Sequence, residues 1–324
     1  MRLRLLGCLW AGLLAGAADV AWARNYPLTG EVIGEVVLTT TIRNDTIADI
    51  ARTYSQGYNE MRRANPGVDP WLTGEDTEVI IPSQYVLPKA PHEGIIINIP
   101  EMRMYYYLPA AKGAAKGAGR QIATYPISIG RQDWSTPHGA TKVMSKIKDP
   151  SWTPPESIRK EHALEGDILP AVVPAGPLNP LGQYALRLGF AGYLIHGTDK
   201  PYGIGMRVTH GCMRMYPNDI ETVFKSVPVG TSVRLVNEPF KVGLLHGQLL
   251  LEAHPALDED TAKVTATQFT AVLALIVPYA EKNLINLDWP TLRRAVYRKN
   301  GMPTAIGTAI PISASPTSTL SLNP

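Results

Sequence analysis

The chain has 324 residues, 45% of them hydrophobic, with 28 glycines and 28 prolines. That composition excludes an intrinsically disordered protein, and the length allows two domains plus tails. A net charge of +3 without any Lys/Arg block leaves no electrostatic basis for nucleic-acid binding.

At the N-terminus Arg2 and Arg4 precede an apolar run from Leu5 to Ala18. Ala21-Trp22-Ala23 then has the small-x-small form of an export cleavage site, so residues 1–23 are expected to be a signal peptide. The run is too short for a membrane span, which needs ~20 apolar residues, and none is expected. Leu6-Gly7-Cys8 has too little apolar sequence ahead of it for a lipoprotein signal. Export removes one of the two cysteines, Cys8, and leaves Cys212 without a disulfide partner in an oxidising compartment. Such a thiol is a buried apolar filler, an intermolecular link or a reactive group.

Residues 35–83 read as a small β-α-α-β unit. Glu35 to Thr40 is β-rich, and Asn44-Asp45 offers a helix N-cap. Ile47, Ile50, Ala51 and Tyr54 then form one apolar helical face. A second helix is expected over Tyr58 to Ala64, stopped by Asn65-Pro66-Gly67, and Val79 to Pro82 closes the unit as a strand. Asp45 to Ala51, Asn65-Pro66 and Ile80-Ile81-Pro82 together resemble a LysM domain. The resemblance implies binding to N-acetylglucosamine-containing glycan, peptidoglycan included. Trp71 is expected in the core of this unit.

Pro88 to Pro91 is a short linker. From Gly94 the signal is β: Ile95 to Ile99, Met102 to Leu108, Gln121 to Ile129, Ala140 to Ile147, Tyr184 to Leu188, Tyr193 to Ile195 and Ser232 to Val236. Tyr105 to Tyr107 are expected to alternate between the two faces of a strand. Pro109 to Arg120 reads as a flexible hairpin tip, Thr136-Pro137-His138-Gly139 as a turn, and the proline-dense stretch Asp149 to Asn179 as irregular. Met215 to Phe224, with Pro217 near its start, is a helix. Residues 93–237 thus form a β-sandwich with short helices. Residues 240–302 form a partly helical extension: Gln248 to Glu252 is a strand, and helices cover Thr265 to Lys282 and Asp288 to Lys299. Residues 303–324, rich in Ser, Thr, Pro and Ala, are expected to be a disordered tail. The overall class is mainly β.

The chemistry centres on Cys212. A thiolate attacks where a thiol does not, so the residue needs a base or a positive field. His210, two residues before it, and His196, sixteen before it, are both candidates. Gly197 lets a backbone carbonyl approach the imidazole of His196. Gly211 permits a tight turn that aims N–H groups at an oxyanion. A zinc site built from His138, His196, His210 and Cys212 is a weaker reading, because no compact ligand pair supports it; no metal and no cofactor are expected. His138 is a turn residue, and His92, His162, His246 and His254 are surface or loop residues.

His196-Gly197-Thr198, a gap, then Thr209-His210-Gly211-Cys212-Met213-Arg214 resembles the signature of L,D-transpeptidases of the YkuD type. The similarity extends through Gly203 to Val208 and back to the turn at Thr136. The resemblance implies that Cys212 is the nucleophile and that His196 is the base, oriented by the Gly197 carbonyl. Gly211 and Cys212 N–H groups, helped by His210, would form the oxyanion hole. Arg214, with Thr209 beside the site, would hold substrate, since a guanidinium suits a carboxylate. Many relatives carry Asn in place of Arg214, and Thr209 replaces a frequent Ser.

The implied reaction attacks the carbonyl between the third residue and the terminal D-Ala of a peptidoglycan tetrapeptide stem. D-Ala leaves, a thioester forms, and an amine takes the acyl group. Carbapenem-type β-lactams are expected to acylate the same thiol. The acceptor stays open between a diaminopimelate amine, giving a cross-link, and a lysine of an outer-membrane lipoprotein. Water as acceptor would make the protein an L,D-carboxypeptidase or amidase. A wall protein that binds glycan without catalysis is the third alternative. The expected location is the periplasm, in association with the cell wall.

Overall fold

The computed structural model describes residues 25–110 and 119–311. The expected signal peptide, most of the hairpin tip after Pro109 and residues 312–324 lie outside the described residues.

The β-α-α-β unit is present. Val37–Thr40 pairs antiparallel with Glu78–Ile81, and α1 (Ile47–Thr53) and α2 (Tyr58–Ala64) lie between them in sequence. The cap of α1 is Thr46, not Asn44-Asp45. Thr46 Oγ1 accepts from Asp49 N at 3.2 Å while Asp49 Oδ2 accepts from Thr46 N at 3.1 Å, a reciprocal capping box. Asp45 is spent on the preceding turn, accepting from Ile42 N at 3.0 Å. Asn65 explains why Asn-Pro ends α2: its side chain donates to Met61 O (2.9 Å) and Ile80 O (2.8 Å) and accepts from Ile80 N (2.7 Å). Ile47, Ile50, Ala51, Met61, Val79 and Ile81 form the core of the unit. Trp71 is not in that core; it is 66% exposed, its ring 6.3 Å from that of Tyr58.

Eight strands of residues 94–236, joined by Asn25–Pro27 at one edge, form one nine-stranded sheet. In spatial order its strands are Asn25–Pro27, Gln121–Pro126, Arg103–Tyr107, Gly94–Asn98, Ser232–Val236, Gly139–Lys148, Tyr184–Leu188, Leu194–His196 and Met213–Arg214. Tyr125, near one edge, and Ile195 and Met213, at the other, belong to the same buried cluster. The sandwich is therefore made by a single sheet curled over its own core. Its other face is covered around Tyr105, Tyr107, Ile96 and Ile122 by Ile33, Tyr85 and Leu87, so every residue of Arg103–Tyr107 is buried. Two helices flank the sheet: α3 (Glu156–Leu164) and α4 (Pro217–Ser226). The first interrupts the stretch expected to be irregular. Pro155 takes the cap position, and the nine residues after it contain no proline and are free to wind.

The C-terminal extension forms a sheet of its own. Phe240–Leu245, Gln248–Ala253, Thr304–Pro311 and Asn283–Leu287 form an antiparallel sheet in that order. Helices α5 (Thr261–Ala280) and α6 (Trp289–Arg298) pack on it through Val272, Ile276, Leu292 and Val296. By length and composition the α5 region could cross a membrane, yet here Gln268, Val272 and Ile276 face protein. The tail expected to be disordered from residue 303 instead supplies the strand Thr304–Pro311. Its small residues suit that place: a Cβ at Gly307 would lie 2.3 Å from Asn286 O on the neighbouring strand.

Candidate active site

Leu194–His196 and Met213–Arg214 run parallel, with Ile195 opposite Met213 and His196 opposite Arg214. Alternation along paired strands puts partner side chains on one face. Ile195 and Met213 point into the main core, so His196 and Arg214 occupy the other face. Cys212, one residue before the strand, falls on that face beside them. Its Sγ takes a hydrogen bond from the Leu194 backbone and lies 3.6 Å from Gly192 O. The sixteen-residue spacing of His196 and Cys212 is thus a crossing between adjacent parallel strands.

His196 is 4% exposed, and its Nδ1 lies 2.7 Å from Gly197 O. A carbonyl only accepts, so Nδ1 carries the proton and Nε2 is left basic. Gly182 makes room for this arrangement: a Cβ there would lie 2.7 Å from Thr198 N and 3.0 Å from Gly197 Cα. Burial, and then the Arg214 charge, push the His196 pKa down to about 3, against the hydrogen bonds of Gly197 and Leu181. Burial pushes the Cys212 thiol up, while the Leu194 backbone and Arg214 pull it down. Both shifts disfavour a preformed thiolate–imidazolium pair. They favour a neutral thiol beside a neutral imidazole.

Arg214 is half-buried. Its Nε has no hydrogen-bond partner and, among the described residues, its guanidinium makes no ion pair. Burial holds its pKa below the usual value, opposed by the charges of Asp199 and Cys212. A guanidinium without an ion pair presents the planar donor fork that suits a carboxylate.

The loop before Cys212 is tied by buried hydroxyls. Thr209 Oγ1 accepts from Gly211 N at 3.2 Å and donates to Cys212 O at 2.7 Å. Thr209 is 2% exposed, so it holds the loop and is not available to substrate. The same bond occupies the Gly211 N–H, which was expected in the oxyanion hole. Thr136 Oγ1 accepts from Gly130 N (3.0 Å) and donates to Gly211 O (2.9 Å). Thr136, not the exposed His138, is the member of that turn that serves the site. Gly211 adopts φ +101°, and a Cβ there would lie 2.9 Å from Tyr193 Cε1, so only glycine fits.

His210 is turned towards α3. Its Nε2 lies 3.2 Å from Glu161 Oε2 and 3.3 Å from Arg131 Nη2, and Trp134 meets the ring edge-on at 5.1 Å. Glu161 also pairs with Arg131. Neither Arg131 nor Glu161 carries a motif, and Glu161 lies in the stretch expected to be irregular; no sequence signal marked them. The zinc reading is not supported: the grouping of His, Cys, Asp and Glu that converges among the described residues is Glu101, Glu252 and His254, far from the motif in sequence. His254, expected at the surface, is 2% exposed and binds Glu252 at 2.6 Å.

Comparisons with known proteins identify the family. A family model described as the L,D-transpeptidase catalytic domain, YkuD, matches residues 92–235. Probable L,D-transpeptidase YcfS of Escherichia coli K12 is 38% identical over 316 residues, covering 92% of this chain and 94% of that protein. ErfK/SrfK of the same organism is 35% identical over 311 residues, covering 94% and 97%, and YbiS is 37% identical over 300, covering 90% and 95%. With relatives matched along nearly their whole length and a thiol, an imidazole and a guanidinium gathered on one strand face, the chain belongs to the L,D-transpeptidase family.

Proposed function

We propose that Cys212 is the nucleophile of a two-step acyl transfer on peptidoglycan stem peptides. Its carrying observation is the shared strand face of Cys212, His196 and Arg214. In the first step Sγ attacks the carbonyl before the terminal D-Ala of a tetrapeptide, and His196 Nε2 takes the thiol proton. The Cys212 N–H stabilises the oxyanion, because Gly211 N–H is engaged by Thr209. The C–N bond breaks, His196 returns its proton to the departing D-Ala amine, and a thioester remains. In the second step an amine attacks the thioester, gives up a proton to His196 and expels the thiol. Arg214 binds a stem carboxylate. Either a diaminopimelate amine or a lipoprotein lysine satisfies this chemistry.

The β-α-α-β unit is read as a LysM-like glycan-binding module. The exposed Trp71 beside Tyr58 supports that reading, since an exposed aromatic ring offers a stacking face. Residues 1–23 would direct the protein to the periplasm.

Incubation of the mature protein with a carbapenem, followed by intact mass measurement, tests the nucleophile. One adduct is expected on the wild type and none on Cys212→Ala. An unmodified wild type, or an adduct on the variant, removes the assignment. Digestion of treated cell walls then separates acceptors: new cross-links or a linked lipoprotein mean transfer, and tripeptides alone mean hydrolysis.

A further inference from the structure

We propose that the Gln56–Gly57 turn, which joins α1 to α2, is a positioning element of the active site. It grips both ends of the segment that carries His210 and Cys212. On one side Tyr58 N donates to Ile204 O at 2.9 Å, and Met206 packs into the core of the β-α-α-β unit. On the other side Tyr216 Oη donates to Gln56 O at 3.1 Å. Between these anchors lie Arg207–Thr209, the catalytic loop and Met213–Arg214.

The approach at the first anchor is as close as backbone allows. Gly205 has φ +84°, and a Cβ on it would lie 2.4 Å from Gly57 Cα and 2.5 Å from Tyr58 N. Only glycine fits at Gly205, and a Cβ on Gly57 opposite it would lie 3.0 Å from Gly205 Cα.

The turn is itself immobilised. Gln56 is 3% exposed. Its Oε1 accepts from Tyr85 Oη at 2.9 Å and Arg103 Nη2 at 3.1 Å, and its Nε2 donates to Tyr54 O at 3.1 Å. Glu60 Oε2 accepts from Gly57 N at 3.0 Å and pairs with Arg103. Arg103 belongs to the central strands of the sheet. A module that only tethered glycan would need none of these contacts.

This inference rests on Cys212 being the nucleophile, and it assigns the small unit a role beyond capture of the polymer. A tether changes the effective concentration of a polymeric substrate and leaves a soluble one untouched. A positioning element changes the turnover of both, since a misplacement of ~1 Å at a reacting group costs on the order of 100-fold.

Tyr216→Phe and Gly205→Ala in the mature protein test it. Three quantities are read at a temperature where circular dichroism shows each variant folded. They are kcat and KM on a soluble tetrapeptide donor, the rate of carbapenem acylation, and amide hydrogen exchange over residues 207–215. Both variants are expected to raise exchange in that segment and to lower kcat and the acylation rate about tenfold or more, with KM within about twofold. Tyr216→Phe removes one hydroxyl, so it reports even if Gly205→Ala does not fold. Unchanged exchange overturns the proposal, as does raised exchange with wild-type kcat, or a loss confined to intact cell walls. If Cys212 is not acylated in the wild type, the nucleophile assignment fails on that measurement, and exchange still shows whether the turn holds the segment.

Discussion

Two of the buried polar clusters among the described residues are built on opposite terms. Where the C-terminal sheet meets the catalytic sheet, every charge has a partner. Lys241 Nζ reaches Glu101 Oε2 and Glu252 Oε1, each at 2.7 Å, and Tyr105 Oη at 3.2 Å. Glu252 also accepts from Val86 N at 2.6 Å and meets His254, and Asn98 holds Glu101 at 3.0 Å. The lysine sits among the carboxylates that would otherwise form a cation site. At the catalytic corner the terms reverse. His196 is buried with a cation for a neighbour, Cys212 has no ionised base, and Arg214 feels the Asp199 charge yet makes no ion pair among the described residues. A cluster whose one cation reaches both carboxylates joins layers; the other corner leaves its polar groups without such partners.

The sharpest break of this contrast is His196→Ala. General-base assistance contributes on the order of 10²–10⁴ in rate. The carbapenem acylation rate is expected to fall by that much, with the melting temperature little changed. A wild-type rate would move His196 to the structural side.

Lys241→Met is the complementary break. It leaves Glu101 and Glu252 buried without their cation, and removal of one partner from a buried pair costs about 3–5 kcal/mol. Urea unfolding is expected to show that loss, while acylation by the folded variant stays near wild type. Adding Glu101→Gln should recover part of the stability. No recovery would mean that the lysine acts by packing rather than charge.

The pH profile sharpens the catalytic half. Since the His196 pKa is pushed down to about 3, the base stays neutral through the usual imidazole range near 6.5. Acylation should therefore show no half-loss near pH 6.5. Stability carries the linked sign. Between about 6.5 and 3 the unfolded histidine holds a proton that the folded one refuses, so its contribution is lost as pH falls through that window. An acylation rate that halves near pH 6.5 would contradict the burial argument.

The smallest effect is expected at Glu161→Gln. Its contacts with Arg131 and His210 are partly exposed, and such pairs are screened by solvent. A change of at most about threefold in acylation is expected. A larger one would bring α3 into the catalytic corner.

Much of this was legible in the sequence, and for identifiable reasons. The residues of α1 and α2 repeat apolar side chains with helical period, and Gly94–Asn98 carries the continuous apolar run Ile95-Ile96-Ile97, buried on both faces, so local pattern and tertiary burial agree. The site motif was legible because a left-handed glycine, a thiol and two histidines in fixed order are chemically demanding. Other elements carried no such pattern. Thr304–Pro311 is low in large apolar residues and becomes a strand only because Gln248–Ala253 and Asn283–Leu287 pair with it on both sides. Glu161 and Arg131 are ordinary surface charges until α3 brings one to the other. Trp71 was assigned to the core because an indole is mostly apolar, and its exposure depends on the turn that presents it.

The sequence alone marked Cys212 and His196 as the candidate nucleophile and base, with Gly197 and Gly211 beside them, because bond-making chemistry restricts residue type at each position. Only the tertiary structure decided how they are tuned. The parallel strands that set His196 beside Cys212, the burial that keeps both neutral, the hydroxyls of Thr209 and Thr136 that hold the loop, and the Gln56–Gly57 turn that grips its ends all join residues far apart in the chain. Contacts of that kind depend on distance in space and on exclusion of water, and no local pattern encodes either.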